Sequence, residues 1–198
     1  MQGCSTIDAI VKLLHSSGLA QFNHTIDGKQ ESYYAALFLD FSKAYDRVEL
    51  PILQKTLETL GIEPGYRRFI QNWMTGRSIT VTINHHNSTS RKISRGLPQG
   101  SSLSVLLWQL YISDIPLDEQ TSALYMDDAV TWQTAKTRER LESKMQARLD
   151  TLSKWCQNKN IIINTDKTVV MVNDLLNEIT LQHKGKEIET VPKTTYLN

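Results

Sequence analysis

Ala123-Leu124-Tyr125-Met126-Asp127-Asp128-Ala129-Val130-Thr131-Trp132 reads as two short apolar runs parted by a pair of acids. Runs of this length, rich in Val, Thr and aromatic residues, suit strands better than helices. The segment is therefore expected to form a strand, an acidic turn and a second strand. A hairpin cannot stand alone in water and needs further strands to bury its apolar face. Ala35-Ala36-Leu37-Phe38-Leu39 supplies one, a buried-strand run that ends on a third acid, Asp40. Val169–Val172 supplies another, and Ile161–Ile163 a third, around the turn Asn164-Thr165-Asp166-Lys167.

The helices follow from spacing and punctuation. Leu141, Met145, Leu149, Leu152 and Trp155 recur at helical intervals, a long amphipathic helix. Pro51 opens a helix that places Leu53, Leu57 and Leu60 on one face and stops at Gly61. Pro64 opens another, carrying Phe69, Ile70 and Trp73 to Gly76. Ser5 to Leu14 is expected to be helical, and residues 16–32, rich in Gly, Asn, Ser and Gln, to be a loop. Ile79, Val81 and Ile83 alternate with polar residues as a half-buried strand does, with a turn at His85-His86-Asn87-Ser88 and a return over Thr89–Ser94. Gly96-Leu97-Pro98-Gln99-Gly100-Ser101 is a loop leading into a helix that runs through Leu110, and a last hairpin turns at His183-Lys184-Gly185-Lys186. Helices and hairpins in this order predict an α+β domain with a mainly antiparallel sheet packed by helices.

With 198 residues the chain is sized for one domain, against a prior of about 150. Its 22 basic and 21 acidic residues exclude a globally basic coat and an acidic tail, but they are unevenly placed. Residues 1–60 carry 5 basic and 7 acidic side chains, and residues 111–150 carry 5 and 8. Residues 61–110 carry six basic side chains against Glu63 alone. Alternating acidic and basic stretches suit a protein that handles metal ions and polyanions at neighbouring places, although ordinary solvated charge gives the same count. Cys4 and Cys156 have no Cys or His partner at ligand spacing, which argues against zinc and for reduced thiols in an intracellular protein. The most apolar run, Val105–Ile112, is too short to cross a bilayer, and no signal peptide is visible. No repeats or low-complexity segments occur.

Three carboxylates at the ends of buried strands are costly unless something positive meets them. Asp40, Asp127 and Asp128, brought together, would make an all-oxygen site suited to magnesium, which keeps water and binds substrate phosphates. Two such ions about 4 Å apart activate a hydroxyl and stabilise a leaving pyrophosphate. Adjacent Asp pairs also occur in plain surface turns, so the pair alone does not decide between the two readings.

Four motifs occur in order: Phe38-Leu39-Asp40-Phe41-Ser42-Lys43-Ala44-Tyr45-Asp46-Arg47-Val48, Gly96-Leu97-Pro98-Gln99-Gly100-Ser101, Tyr125-Met126-Asp127-Asp128, and Trp155-Cys156-Gln157-Asn158-Lys159-Asn160 followed by Asn164 to Lys167-Thr168. Together they closely resemble the reverse transcriptase domain of non-LTR (LINE/jockey-type) retrotransposons, over nearly the whole chain. The resemblance implies a polymerase palm-like antiparallel sheet with partial fingers and no thumb. It also implies that residues 1–198 are one domain of a longer polyprotein that carries the missing fingers, thumb and endonuclease regions.

The activity implied is RNA-directed DNA polymerisation: two Mg2+ ions, or Mn2+, would serve transfer of dNTPs onto a primer 3′-hydroxyl, with an RNA template and a DNA primer as partners. Asp40, Asp127 and Asp128 would be the catalytic, metal-binding carboxylates, with the Phe41 carbonyl as a backbone ligand. Tyr45 would lie under the incoming sugar and exclude a 2′-hydroxyl, and Gln99 and Gly100 would line the nucleotide site. Lys167 would protonate the leaving pyrophosphate. Arg67, Arg68, Arg77, Arg91, Lys92 and Arg95 would neutralise template–primer phosphates. A location in the nucleus or cytoplasm, with no membrane, is implied as well.

Besides the missing fingers, thumb and endonuclease regions, the family pattern is broken at single positions. Cys4 stands where arginine is common, Ser102-Leu103-Ser104-Val105 replaces the usual apolar-Leu-Ser-Pro, Met126 the usual Ala, and Asn198 the usual Gly. A catalytically inactive retroelement remnant or nucleic-acid-binding module is the competing reading. Another two-metal nucleotidyl transferase would leave Gly96–Ser101 and Lys167 without a role.

Overall fold

A computed structural model describes residues 33–172, 176 and 178–191. The expected helix over Ser5–Leu14, the loop at 16–32, Cys4 and the terminal Tyr196-Leu197-Asn198 lie outside these residues. Two compact units account for the described chain. One is built from residues up to 42, 115–157 and 162 onward, the other from residues 43–114 and 158–161.

The first unit is a five-stranded sheet and a long helix. Strand β1 spans Tyr33–Asp40, β6 Ser122–Tyr125, β7 Asp128–Ala135, β8 Val169–Val172 and β11 Glu189–Val191. Their order is β11-β8-β1-β7-β6, which puts β1 in the middle. Every pairing is antiparallel except that of β11 with β8. That parallel edge is the one departure from a wholly antiparallel sheet. A central strand is covered on both faces and so reads as a continuous apolar run. Residues 34–39 are all buried: Tyr34, Ala36 and Phe38 pack with Ala123, Val130 and Trp132, while Ala35, Leu37 and Leu39 point the other way.

The long helix α4 covers Arg138–Asn158 and buries Leu141, Met145, Leu149, Leu152 and Cys156. The expected fifth contact, Trp155, is only half-buried. At about 100° per residue, Cys156 falls closer than Trp155 to the centre of the stripe set by the other four. Gln146 makes a two-way amide bond with the backbone of Gln182, tying α4 to the short hairpin of β9 (Gln182–His183) and β10 (Lys186–Glu187). Ile161–Ile163 is not a strand: only Ile163 bridges, to Phe41.

The second unit is helical with a hairpin arm. Helix α1 covers Leu50–Thr59 and α2 Pro64–Met74, each with proline in its first turn. Helix α3 spans Ser102–Tyr111, and α1 packs against both α2 and α3. Leu53 and Leu57 are buried, but Leu60 is 44% exposed because it caps α1 with ψ near 0° and leaves the helical path. On α2, Ile70 and Met74 define the inward face and Phe69 is left 59% exposed.

The arm is four short strands, β2 Ser78–Ile79, β3 Thr82–Ile83, β4 His86–Asn87 and β5 Arg91–Lys92. β2 pairs with β5 and β3 with β4. Its turn is centred on Asn84-His85, both at positive φ, two residues earlier than the centre of the expected turn. A two-residue hairpin turn of type I′, whose twist matches the strands, takes positive φ at both central positions, and Asn and His are among the non-glycine residues that tolerate it. The half-buried strand expected at Ile79, Val81 and Ile83 is instead exposed, at 52%, 52% and 66%. Alternation shows that one face is apolar; it does not supply the layer that would cover it.

Candidate active site

The register of β1 against β7 builds the acidic corner. Each of the eight β1 residues has a partner, and the last pair is Asp40 opposite Asp128. β6 joins β7 through Met126-Asp127, because Tyr125 pairs with Asp128. Asp128 is thus the first residue of a strand, not part of the turn as expected, and Asp127 alone sits on the tip with its side chain exposed. Met126 takes φ of 55°, a left-handed conformation that costs a non-glycine residue about 1–2 kcal/mol. The strained residue lets a two-residue turn deliver two consecutive acids to the end of β1.

The electrostatics follow. Like charges directly opposite on a sheet are destabilising, by roughly 0.2–1 kcal/mol. Burial, then Asp127, then Asp40 push the Asp128 carboxyl above the usual carboxylate range. Every one of these influences opposes a negative charge there. The described residues contain no group of three or more His, Cys, Asp and Glu side chains arranged to grip an ion as they stand. The donor set nonetheless fits a hard divalent cation: it is all oxygen, anionic, and short of positive charge.

Asp40 is also held from the other side. The Asn164 side-chain amide donates to Asp40 Oδ2 at 2.9 Å, and the Asn164 backbone N–H donates to the Asp40 carbonyl at 2.8 Å. The Asp40 N–H donates to Thr168 Oγ1 at a longer 3.4 Å. Phe41 is buried and bridges to Ile163, and the Ser42 N–H donates to the Ile162 carbonyl. Residues 162–168 therefore run alongside residues 40–42. Lys167 is exposed on the turn of that segment, three residues beyond Asn164.

A second cluster lies within the other unit. Tyr45 opens a short 3-10 turn, Tyr45–Arg47, and its ring stacks on Trp108 at a 5.6 Å centroid distance and 30° between planes. Loop 96–99 zips onto that turn: the Leu97 N–H donates to the Tyr45 carbonyl and the Gly96 N–H to that of Val48. Gln99 donates from Nε2 to Asp46 Oδ1 at 3.2 Å. Gly100 has φ of 82° with open space around it. Tyr45, Gln99 and Gly96 are therefore brought together, and Asp46 anchors Gln99.

The six basic candidates are not alike. Arg77 donates to the carbonyls of Met74, Arg95 and Gly96, and burial lowers its pKa, so its guanidinium joins helix α2 to the 96–99 loop. Arg67 meets Glu58 at 3.2 Å, and Arg95 reaches Glu49 at 3.9 Å. Arg68, Arg91 and Lys92 are exposed, the last two on the arm.

Asn164, Thr168 and Asp46 escaped the sequence reading as contributors to these clusters. The available signal was their place inside the quoted motifs, and membership of a motif does not announce a distant partner.

Residues 2–197 match the family described as reverse transcriptase (RNA-dependent DNA polymerase). The chain is 29% identical over 155 residues to the RNA-directed DNA polymerase from mobile element jockey of Drosophila melanogaster, covering 73% of this chain and 17% of that protein. It is 25% identical over 178 residues to the probable RNA-directed DNA polymerase from transposon BS of the same organism, covering 85% and 19%. The chain thus spans less than a fifth of the length of these relatives. Among solved structures, apo telomerase from Candida tropicalis, truncated from its C-terminal domain, superposes with a TM-score of 0.62 at 16% identity, covering 94% of this chain and 39% of that one. Telomerase from Candida albicans in complex with a telomeric RNA fragment gives 0.61 at 19% identity, covering 94% and 34%. At such identities the likeness shows the fold, an α+β polymerase palm.

Proposed function

We propose a function on one premise: the chain belongs to the reverse transcriptase family. It is the palm-bearing part of an RNA-directed DNA polymerase of the non-LTR retrotransposon kind, and it extends a DNA primer on an RNA template using dNTPs. The observation that carries this reading is the β1–β7 register, which sets Asp40 opposite Asp128 with Asp127 on the adjoining turn. A polymerase needs carboxylates fixed to a rigid scaffold at the reacting phosphate, and a sheet register is among the most rigid devices a fold has.

Asp40, Asp127, Asp128 and the Phe41 carbonyl would hold two divalent cations, Mg2+ or Mn2+. When bound, such ions lower the pKa of the primer hydroxyl and neutralise charge on the phosphates. In the reaction the primer 3′-oxygen forms a bond to the α-phosphorus, the bond from that phosphorus to the pyrophosphate oxygen breaks, and the hydroxyl proton leaves to solvent. Lys167 donates a proton to the departing pyrophosphate. Tyr45, braced by Trp108, presents a rigid ring face to the incoming sugar and leaves no room for a 2′-oxygen. Gln99 and Gly100 line the nucleotide site. Arg67, Arg68, Arg77, Arg91, Lys92 and Arg95 are assigned to the template–primer phosphates, Arg91 and Lys92 being the most available. Residues 1–198 form one domain of a larger element protein that works inside the cell, in nucleus or cytoplasm. No helix among the described residues is long and apolar enough to cross a membrane.

Primer extension on poly(rA)/oligo(dT) with Mg2+ or Mn2+ tests this, for the chain itself and for the chain joined to flanking fingers and thumb segments. Extension should appear with the joined protein and vanish in Asp127→Asn. No extension by the joined protein, or full activity in Asp127→Asn, would refute the assignment.

A further inference from the structure

We propose that Asn164 is a positioning residue for Asp40, orienting its carboxylate toward the cations and tying the Lys167 turn to the same point. The proposal rests on the metal reading above and assigns a role to a residue that reading leaves idle.

A carboxylate at the end of a strand swings broadly about its last torsion, which has no sharp staggered wells. One hydrogen bond to one of its oxygens removes that freedom and sets the direction of the other oxygen. The Asn164 amide supplies such a bond to Asp40 Oδ2 at 2.9 Å. An ionised carboxylate only accepts, so the contact must be made by a donor, and the amide NH2 is one.

Three backbone bonds make the placement rigid. The Asn164 N–H reaches the Asp40 carbonyl at 2.8 Å, while the Asn164 carbonyl accepts from Thr168 at 2.9 Å and from Lys167 at 3.2 Å. Asn164 therefore touches Asp40 through side chain and backbone, and closes the turn that presents Lys167. Moving Asn164 would move the cation ligand and the proton donor together. Groups that orient metal ligands from behind commonly account for about 10–100-fold in metal affinity or activity.

The competing explanation is that Asn164 merely forms the turn. Serine also favours such turns, but its shorter side chain cannot reach Oδ2. Mn2+ binding should be measured by electron paramagnetic resonance of the free ion, on the full chain, with Asp40→Asn as the reference for loss of the site. Asn164→Ala and Asn164→Ser should each bind Mn2+ about 10–100-fold more weakly than the unmodified chain. Thr168→Val removes the hydroxyl that accepts from the Asp40 N–H, and leaves both the backbone bonds of the turn and the hydrogen bond to the carboxylate in place. It should lower the unfolding temperature and leave Mn2+ affinity within about threefold, since only the ligand's orienting partner carries the larger factor. Equal Mn2+ affinity in Asn164→Ser and the unmodified chain would overturn the proposal, as would an equal loss in Thr168→Val. If the unmodified chain binds Mn2+ no better than Asp40→Asn, the metal reading falls and this inference with it. Binding by the unmodified chain with no loss on substitution removes only the role of Asn164.

Discussion

Gly96 and Gly100 offer a paired test of how the 96–99 loop is fixed. Both take φ of 82°, so alanine at either site meets the same backbone strain, about 1–2 kcal/mol. Their surroundings differ. A Cβ on Gly100 meets nothing within 4 Å, whereas one on Gly96 would lie 2.9 Å from Asp46 Cα, 3.0 Å from its carbonyl oxygen and 3.2 Å from its carbonyl carbon. All three are backbone atoms and cannot rotate away. Gly96 cannot retreat, because its N–H is bonded to Val48 at 2.9 Å and its carbonyl accepts from Arg77. Overpacking of this kind costs about 1–3 kcal/mol.

Gly96→Ala should therefore lose about 2–5 kcal/mol and Gly100→Ala about 1–2 kcal/mol. At roughly 2–4 °C per kcal/mol for a chain of this size, the unfolding temperatures should fall by about 4–20 °C and about 2–8 °C. The stiffer unfolded chain gives the same gain at both positions and cancels in the comparison. The assay is urea unfolding followed by circular dichroism, with the two variants measured side by side. Variants that agree within about 0.5 kcal/mol, the usual error of additivity, would refute the steric account of the Gly96–Asp46 contact.

Four further outcomes are expected. Burial and Lys184 lower the His183 pKa, with Asp150 opposing them, so the fold disfavours its protonated form. Stability from this group is present above the unfolded value of 6.5 and is lost as pH falls through the lower folded value. The drop in unfolding free energy on acidification should be smaller in His183→Gln than in the unmodified chain, and an equal drop refutes the assignment. Burial pushes the Cys156 thiol up to about 12; peptide mapping after iodoacetamide at neutral pH should find it unlabelled in the folded chain and labelled in urea. Replacing Arg91 and Lys92 by Gln should reduce the log–log salt slope of duplex affinity by about 1.8 if both meet phosphates; an unchanged slope removes them from the footprint. Asp128→Asn should abolish primer extension yet raise stability by roughly 0.2–1 kcal/mol without divalent cations, by relieving the cross-strand repulsion with Asp40. Loss of stability would show that the Asp128 charge is compensated.

How much of this was legible in the sequence depends on what kind of interaction fixes each part. Strand β1, helix α4 and the hairpin at Asp127 announce themselves because local pattern and tertiary burial agree: a run buried on both faces, a helical stripe, two apolar runs around a turn. The stripe even carries its own correction, since the helical angle favours Cys156 over Trp155. The exposed arm at 78–92 was misjudged because alternation reports composition and not coverage. The position of Asp128 was misjudged by one residue, since a turn of Met126-Asp127 needs positive φ at a methionine and nothing in the residue type invites it. The pairing of Asp40 with Asp128 is a matter of register across 88 residues. Family motifs implied it, but no local pattern did. The Asn164–Asp40 and Gln99–Asp46 bonds join segments distant in sequence and leave no periodic trace at all.

The misfit at the acidic corner explains its location. Opposed carboxylates and a left-handed methionine each cost a kcal/mol or so at most a few ångströms from the central strand. Elsewhere such a combination would fray a strand end. Here β1 is paired on both sides and its residues 34–39 are buried, with each large apolar side chain stabilising by about 1.5–3 kcal/mol. Asp40 is the residue at which that burial ends, and its backbone is still held by residues 164 and 168 after the sheet stops. The strand cannot relieve the repulsion by peeling back, because doing so would expose Leu39 and Phe38 and break the Asn164 bonds together. The corner is therefore kept in an electrostatically unfavourable arrangement by groups that carry no charge. That arrangement suits the proposed site for divalent cations, since the repulsion that the fold holds in place would be relieved by cations bound there.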